Sequence, residues 1–173
     1  MVTPFRNRLR IQRSWTWAGA SVRGTSHLTS GDPKQDTAAV AEYLSPEGSV
    51  LVVVVCDGAG SASRSDLGAR IACLTAHSLV RSYLENEQSI CDLNESLAHE
   101  WLLTIRNRLF DKSQSLDVSV RELATTISIA ILGRCSSVLV VVGDSPCVIY
   151  DGDKWVAPIW PMNGEYANQT YFV

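Results

Sequence analysis

The chain has 173 residues, enough for one domain with a real core, and its make-up of 46% hydrophobic and 19% charged residues is that of a globular protein. A net charge of −3 argues against a nucleic-acid binder, and the longest apolar run, Val50 to Cys56, is too short to cross a bilayer. Five cysteines without a CxxC pair exclude a disulfide framework or a structural zinc site and point to a reducing, cytoplasmic compartment.

Residues 1–13 carry Arg6, Arg8, Arg10 and Arg13 and read as a solvated basic arm, because no apolar segment follows that would make a secretory signal. The remainder, 14–173, reads as one domain. SWTWAGASVR, 14–23, is predicted as a first strand interrupted by small residues. GTSHLTSGDPKQ, 24–35, is a polar loop rich in Gly, Ser and Thr. Asp36 to Leu44 is predicted as a strand, residues 45–48 as a turn, and Ser49 to Cys56 as a strand whose continuous apolarity predicts burial on both faces. A helix is predicted from Ser65-Asp66 to about Glu85, with Leu67, Ile71, Leu74 and Ser78 on one face and Ala72, Thr75 and Leu79 widening that stripe. A second helix is predicted from Ile90 to Lys112, and Ser113 to Ser119 reads as a polar connection. Strands are predicted over 123–132, 137–142, 146–150 and 154–157. Strands on both sides of two helices give an α+β domain with antiparallel pairing. The last residues, Thr170 to Val173, read as an apolar strand with no turn after it, the expectation for a chain cut short.

Four aspartates stand where loops meet strands: Asp36, Asp57, Asp144 and Asp151. Asp151-Gly152 lies between two short apolar runs and fits a two-residue hairpin turn. Gly143-Asp144-Ser145 breaks two apolar strands and also reads as a turn, its Asp and Ser satisfying local amides. Asp57-Gly58 differs, because the small residues Ala59 to Ser63 and then a helix follow it. Either it is a turn, or it is a ligand site with a carboxylate at the mouth of a buried strand and bare backbone beside it. The chemistry open to such a site is binding of a hard cation, Mg²⁺ or Mn²⁺, by carboxylate and carbonyl oxygens. Asp36 at the start of a neighbouring strand would complete one edge, and His27 in the preceding loop is a further candidate. No nucleotide-binding glycine loop or nucleophile elbow is present.

Five stretches in chain order resemble the metal-dependent Ser/Thr protein phosphatases of type 2C, the PPM family, and most closely their compact bacterial branch. They are ASVRGTSHLTSGDPKQDTA, VVVVCDGAGSASRSDLGARIA, ATTISIAIL, VVGDSPCVIY and GEYANQTYFV. The resemblance implies a four-layer αββα sandwich of two antiparallel sheets flanked by helices. It implies two Mn²⁺ or Mg²⁺ ions and a metal-bridging water that hydrolyses phosphoserine or phosphothreonine in a protein substrate. It implies that Asp57 bridges the metals, that Gly58 gives one of them its carbonyl, that Asp36 holds a metal edge or its waters, and that Asp144 lies nearby. The sequence departs from the family at three places. Gly31, Asp32 and Pro33 stand near where relatives carry a phosphate-gripping Arg, leaving Arg23 or His27 for that task. Ala59 replaces a frequent His. The family's later Asp-Gly motif and final Asp lie beyond Val173, so residues 1–173 alone are expected to show little activity. The alternative is a non-catalytic, phosphatase-like binding or regulatory module.

Overall fold

The computed structural model describes residues 15–160 and 170–173; the basic arm 1–13 and most of the GEYANQTYFV stretch lie outside the described residues. A short helix α1 (Thr25–Ser30) leads into a hairpin of strands β1 (Asp36–Ser45) and β2 (Gly48–Asp57). Two long helices follow, α2 (Ser65–Glu85) and α3 (Glu95–Leu116), then strands β3 (Ile127–Leu132), β4 (Ser137–Val142), β5 (Cys147–Tyr150) and β6 (Trp155–Ile159). Strands β1 to β4 form one antiparallel sheet in the order β1-β2-β3-β4, and β5 and β6 form a second, two-stranded antiparallel sheet. The expected architecture of two antiparallel sheets with helices is what the chain adopts. No helix among the described residues is long and apolar enough to cross a membrane.

The core lies between the larger sheet and the two long helices. Alternate residues of β2 (Val50, Val52, Val54 and Cys56) are fully buried on the helix side, together with Ile127, Ile129 and Ile131 of β3. Burying each such side chain contributes about 1.5–3 kcal/mol, so this row is the main anchor of the sheet. The opposite face of β2 is not sealed: Leu51 is buried, Val53 is half-buried and Val55 is 38% exposed. Burial on both faces, predicted from continuous apolarity, therefore holds only at the turn end of β2. Towards Asp57 the second face opens onto a cleft.

Helix α2 starts where predicted, and its inner face is rotated from the predicted stripe rather than opposite it. Ala72 is buried and Leu67, Ile71 and Leu79 pack half-buried against the core, but Leu74 is 53% exposed and the fully buried line runs through Gly68, Ala69, Cys73, Ala76, Val80 and Leu84. The first half of that line is made of small residues because the helix backbone lies close to its neighbours. A methyl group on Gly68 would penetrate the backbone carbonyl of Leu123, in the 3₁₀ turn Val120–Leu123 that precedes β3. The predicted second helix divides into a 3₁₀ turn, Ile90–Asp92, and α3, because the Asn94 side chain caps α3 by accepting from Leu97 N–H at 3.1 Å. Helix α3 also continues through the expected polar connection as far as Leu116, burying Trp101, Ile105, Leu109 and Ser113.

Residues 15–24 form no strand. Ala18-Gly19-Ala20 carries no side chains able to hold a cross-strand row, and the segment is instead tied at its ends. Trp15 Nε1 donates to Ser49 O at 3.2 Å, and Lys34 Nζ donates to Ser21 Oγ at 2.9 Å. The predicted loop 24–35 contains α1, closed by Gly31 in the left-handed conformation at φ +85°.

An alanine at an exposed helical glycine gains about 1 kcal/mol from helix propensity, whereas overpacking costs roughly 1–3 kcal/mol. At Gly68 the overlap is with backbone, which yields least. Gly68→Ala is expected to lower unfolding free energy by about 2 kcal/mol in urea titrations followed by circular dichroism. A neutral or stabilised variant would show that α2 does not approach Leu123 so closely.

Candidate metal centre

The β1–β2 hairpin turns at Pro46-Glu47 and pairs ten residues in unbroken register, from Ser45 with Gly48 at the turn to Asp36 with Asp57 at the far end. The last pair sets two carboxylates directly opposite one another, an arrangement that destabilises a sheet when both are charged. Beyond them Gly58 pairs with Thr125, and the chain moves away through a loop into α2. Asp57-Gly58 is thus no hairpin turn.

The backbone around Asp57 is held on several sides. Its carbonyl accepts from Thr126 N–H at 2.8 Å and from Thr125 Oγ1 at 3.0 Å, and its N–H donates to Thr126 Oγ1 at 3.1 Å. Thr125 and Thr126 are both buried. Gly58 N–H donates to Gln35 O at 3.2 Å. A Cβ on Gly58 would lie 2.6 Å from Ser65 O and 2.8 Å from Gln35 O, so close backbone packing demands glycine here whatever its carbonyl does.

The carboxylate of Asp57 is pushed up from 3.8 to about 6. Partial burial at the sheet end is the largest cause, followed by hydrogen bonding and charge repulsion from Asp36, with a further push from Asp144. The three aspartates of the resemblance therefore share one electrostatic neighbourhood. Asp36 and Asp57 line a cleft of about 760 Å³ whose other wall is the segment Trp17–Val22. Asp144 lies past Gly143, at φ +111°, and its Oδ2 accepts from Thr170 Oγ1 at 2.9 Å.

Arg23 and His27 lie on the α1 side. Arg23 donates to His27 O at 2.8 Å, His27 Nδ1 is 2.8 Å from Pro33 O, and neither lines the cleft of Asp36 and Asp57. Asp151 is the turn residue predicted, since its Oδ1 accepts from Asp153 N–H and Lys154 N–H at 3.0 and 2.9 Å. Sequence reasoning missed Thr126 and Ser145. Thr126 Oγ1 is 3.2 Å from Ser145 Oγ, and Ser145 lines the cleft with Asp36 and Asp57. The signal was present in the Thr-Thr and Gly-Asp-Ser motifs, whose hydroxyls read as ordinary strand and turn residues.

The donor set tests well in its chemistry and incompletely in its number. Hard carboxylate oxygens with uncompensated negative charge suit Mg²⁺ or Mn²⁺. Among the described residues, however, no group of three or more His, Cys, Asp or Glu side chains converges tightly enough to hold a metal.

Comparison with known proteins gives the family. The sequence matches the description "Protein phosphatase 2C" over residues 23–173. The chain belongs to the protein phosphatase 2C family. It is 34% identical over 161 residues to serine/threonine-protein phosphatase 3 of Escherichia coli, a match that covers 92% of this chain and 63% of that protein. The chain thus spans less than two thirds of that relative. The fold is similar to the crystal structure of a bacterial serine phosphatase, with a TM-score of 0.50 and 19% identity over 75% of this chain and 56% of the other. A serine/threonine phosphatase from Staphylococcus aureus gives a TM-score of 0.47 at 19% identity, over 73% of this chain and 47% of that one.

With its pKa raised in the folded state, Asp57 favours folding while protonated, and that contribution is lost as pH rises from about 4 through 6. Above pH 6 its charge opposes folding unless a cation compensates it. Asp57→Asn is expected to stabilise the metal-free protein at pH 7.5 by about 1 kcal/mol after screening by water, a rise of roughly 2–4 °C in Tm. The gain should vanish at pH 4. A variant less stable than the parent at pH 7.5 without metal would contradict the repulsion described.

Proposed function

We propose that the protein is a divalent-metal-dependent phosphoprotein phosphatase that hydrolyses phosphoserine and phosphothreonine monoesters. The observation that carries this reading is the facing pair Asp36 and Asp57 at the end of the β1–β2 ladder, in a chain of the protein phosphatase 2C family. Asp57 and Asp36 would hold the cations, with the Gly58 carbonyl as a neutral oxygen ligand and Asp144 as a neighbouring carboxylate. Two Mn²⁺ or Mg²⁺ ions, when bound, supply Lewis acidity and lower the pKa of water at the site.

The chain's own residues do the rest. Thr125 and Thr126 fix the backbone that carries the Asp57 carboxylate, so the ligand need not be ordered when substrate arrives. The open half of β2, around Val53 and Val55, gives the cleft an apolar floor that limits water around the ester. Without a cation the paired carboxylates repel a phosphate dianion, so substrate binding depends on the metal. Arg23, whose Nε is buried with no hydrogen-bond partner among the described residues, and His27 lie outside the cleft lining, and would meet the phosphate only where a substrate extends past Val22 towards α1.

The test is hydrolysis of p-nitrophenyl phosphate and of a phosphothreonine peptide by the full protein with and without Mn²⁺. Turnover is expected only with metal, and Asp57→Asn or Asp36→Asn should lower kcat/KM by about a hundredfold or more while the protein stays folded. Undiminished turnover in Asp57→Asn would remove the metal role from this residue. A folded protein with no metal-dependent turnover would instead favour the non-catalytic binding module.

A further inference from the structure

The hydroxyls next to Asp57 form a chain whose direction can be read from burial. Thr126 is 2% exposed, and its Oγ1 already accepts from Asp57 N–H at 3.1 Å. A buried hydroxyl proton needs an acceptor of its own, since leaving it unpaired costs about 1–3 kcal/mol. Among the described residues, the acceptor within reach is Ser145 Oγ at 3.2 Å. Thr126 therefore donates to Ser145. Ser145, which is half-buried, has no acceptor for its own proton among the described residues and can donate it to a ligand.

The packing fixes where the Thr126 oxygen lies. Gly143, at φ +111°, passes so close to Thr126 that a Cβ there would lie 2.6 Å from Thr126 Cγ2. The Thr126 methyl is thereby pinned on one side and its oxygen is kept on the side of Asp57 and Ser145. Among the described residues, three hydroxyl side chains line the cleft: Ser21, Thr37 and Ser145. Ser21 accepts from Lys34 Nζ at 2.9 Å, and of these three Ser145 is the one wired through Thr126 to the backbone of Asp57. A phosphate group drawn to cations on Asp36 and Asp57 would bring its outer oxygens to this wall, where a neutral donor is wanted among carboxylates.

We propose that Ser145 is a substrate-contacting residue that donates its hydroxyl hydrogen bond to a non-bridging phosphoryl oxygen, and that Thr126 is the positioning residue that aims it. The proposal rests on the phosphatase reading above and adds to it the residue that recognises the transferred group. Thr126 ties two functions together, because the oxygen that orients Ser145 also fixes the Asp57 backbone.

Inorganic phosphate is the probe, its binding measured by titration calorimetry in saturating Mg²⁺, beside KM and kcat for p-nitrophenyl phosphate. Ser145→Ala is expected to weaken phosphate binding and raise KM about tenfold, as for loss of one hydrogen bond to a charged group, with Mg²⁺ affinity unchanged. Ser145→Thr should keep phosphate binding close to that of the parent. Thr126→Val should weaken phosphate and also lower kcat, and Thr126→Ser should restore both. Phosphate binding by Ser145→Ala equal to the parent's would overturn the proposal, as would loss in Ser145→Ala that Ser145→Thr fails to recover. If the parent binds phosphate but hydrolyses no monoester, the phosphatase reading falls and the binding data still decide the role of Ser145. If the parent does neither, both fall.

Discussion

The structure turns on the repulsion between Asp36 and Asp57 and on what forces it. Two carboxylates facing each other at the end of a ladder are unfavourable in isolation, yet ten paired residues lead up to them without a bulge. The register is fixed at the other end by the Pro46-Glu47 turn and along its length by the buried row Val50, Val52, Val54 and Cys56. Slipping the hairpin by one residue would separate the acids, but it would also turn that row towards the cleft. Four buried side chains outweigh one screened charge pair, so the core imposes the pair on the site. The stored repulsion is then available to a cation.

The same logic explains the close backbone packing around the site. Thr126 and Thr125 bond the backbone of Asp57 on both its N–H and C=O sides. Gly58, Gly68 and Gly143 stand where a methyl group would strike Ser65 and Gln35, Leu123, and Thr126 respectively. These contacts bring the starts of α2 and β3 and the end of β4 onto the strand end that carries Asp57. A carboxylate mounted this way would have little freedom to lose on binding a cation, which is the physical meaning of preorganisation here.

Much of this was legible in the sequence, for reasons that differ by element. Strands β1 and β2 and their turn could be read because an alternating run and an apolar run flank Ser-Pro-Glu-Gly. Asp57 stood out because a buried strand rarely ends on a carboxylate followed by small residues. The centre of the inner face of α2 is displaced from the predicted stripe because Gly68, Ala69 and Ala76 carry little hydrophobic weight, while Leu74, which faces water, carries much. What selects the small face is the distance to Leu123, a tertiary fact with no local signature. Residues 14–23 read as a strand from their types, yet among the described residues no partner strand is in register with 15–23. The role of Ser145 depends on a hydrogen-bond direction set by the burial of Thr126, nineteen residues away in sequence. Motif order points to the family and to Asp36, Asp57 and Asp144; the hydrogen bonds among their neighbours join residues far apart in sequence and leave no local signal.

The most direct measurement is the titration of the Asp57 carboxyl carbon by NMR, with and without Mg²⁺. In metal-free protein the midpoint is expected near pH 6, and saturating Mg²⁺ should carry it below the ordinary aspartate value of 3.8, because the cation favours the charged form. A midpoint that stays near 6 in saturating Mg²⁺, or one already near 3.8 without it, would contradict a cation-seeking pair at the end of the β1–β2 ladder.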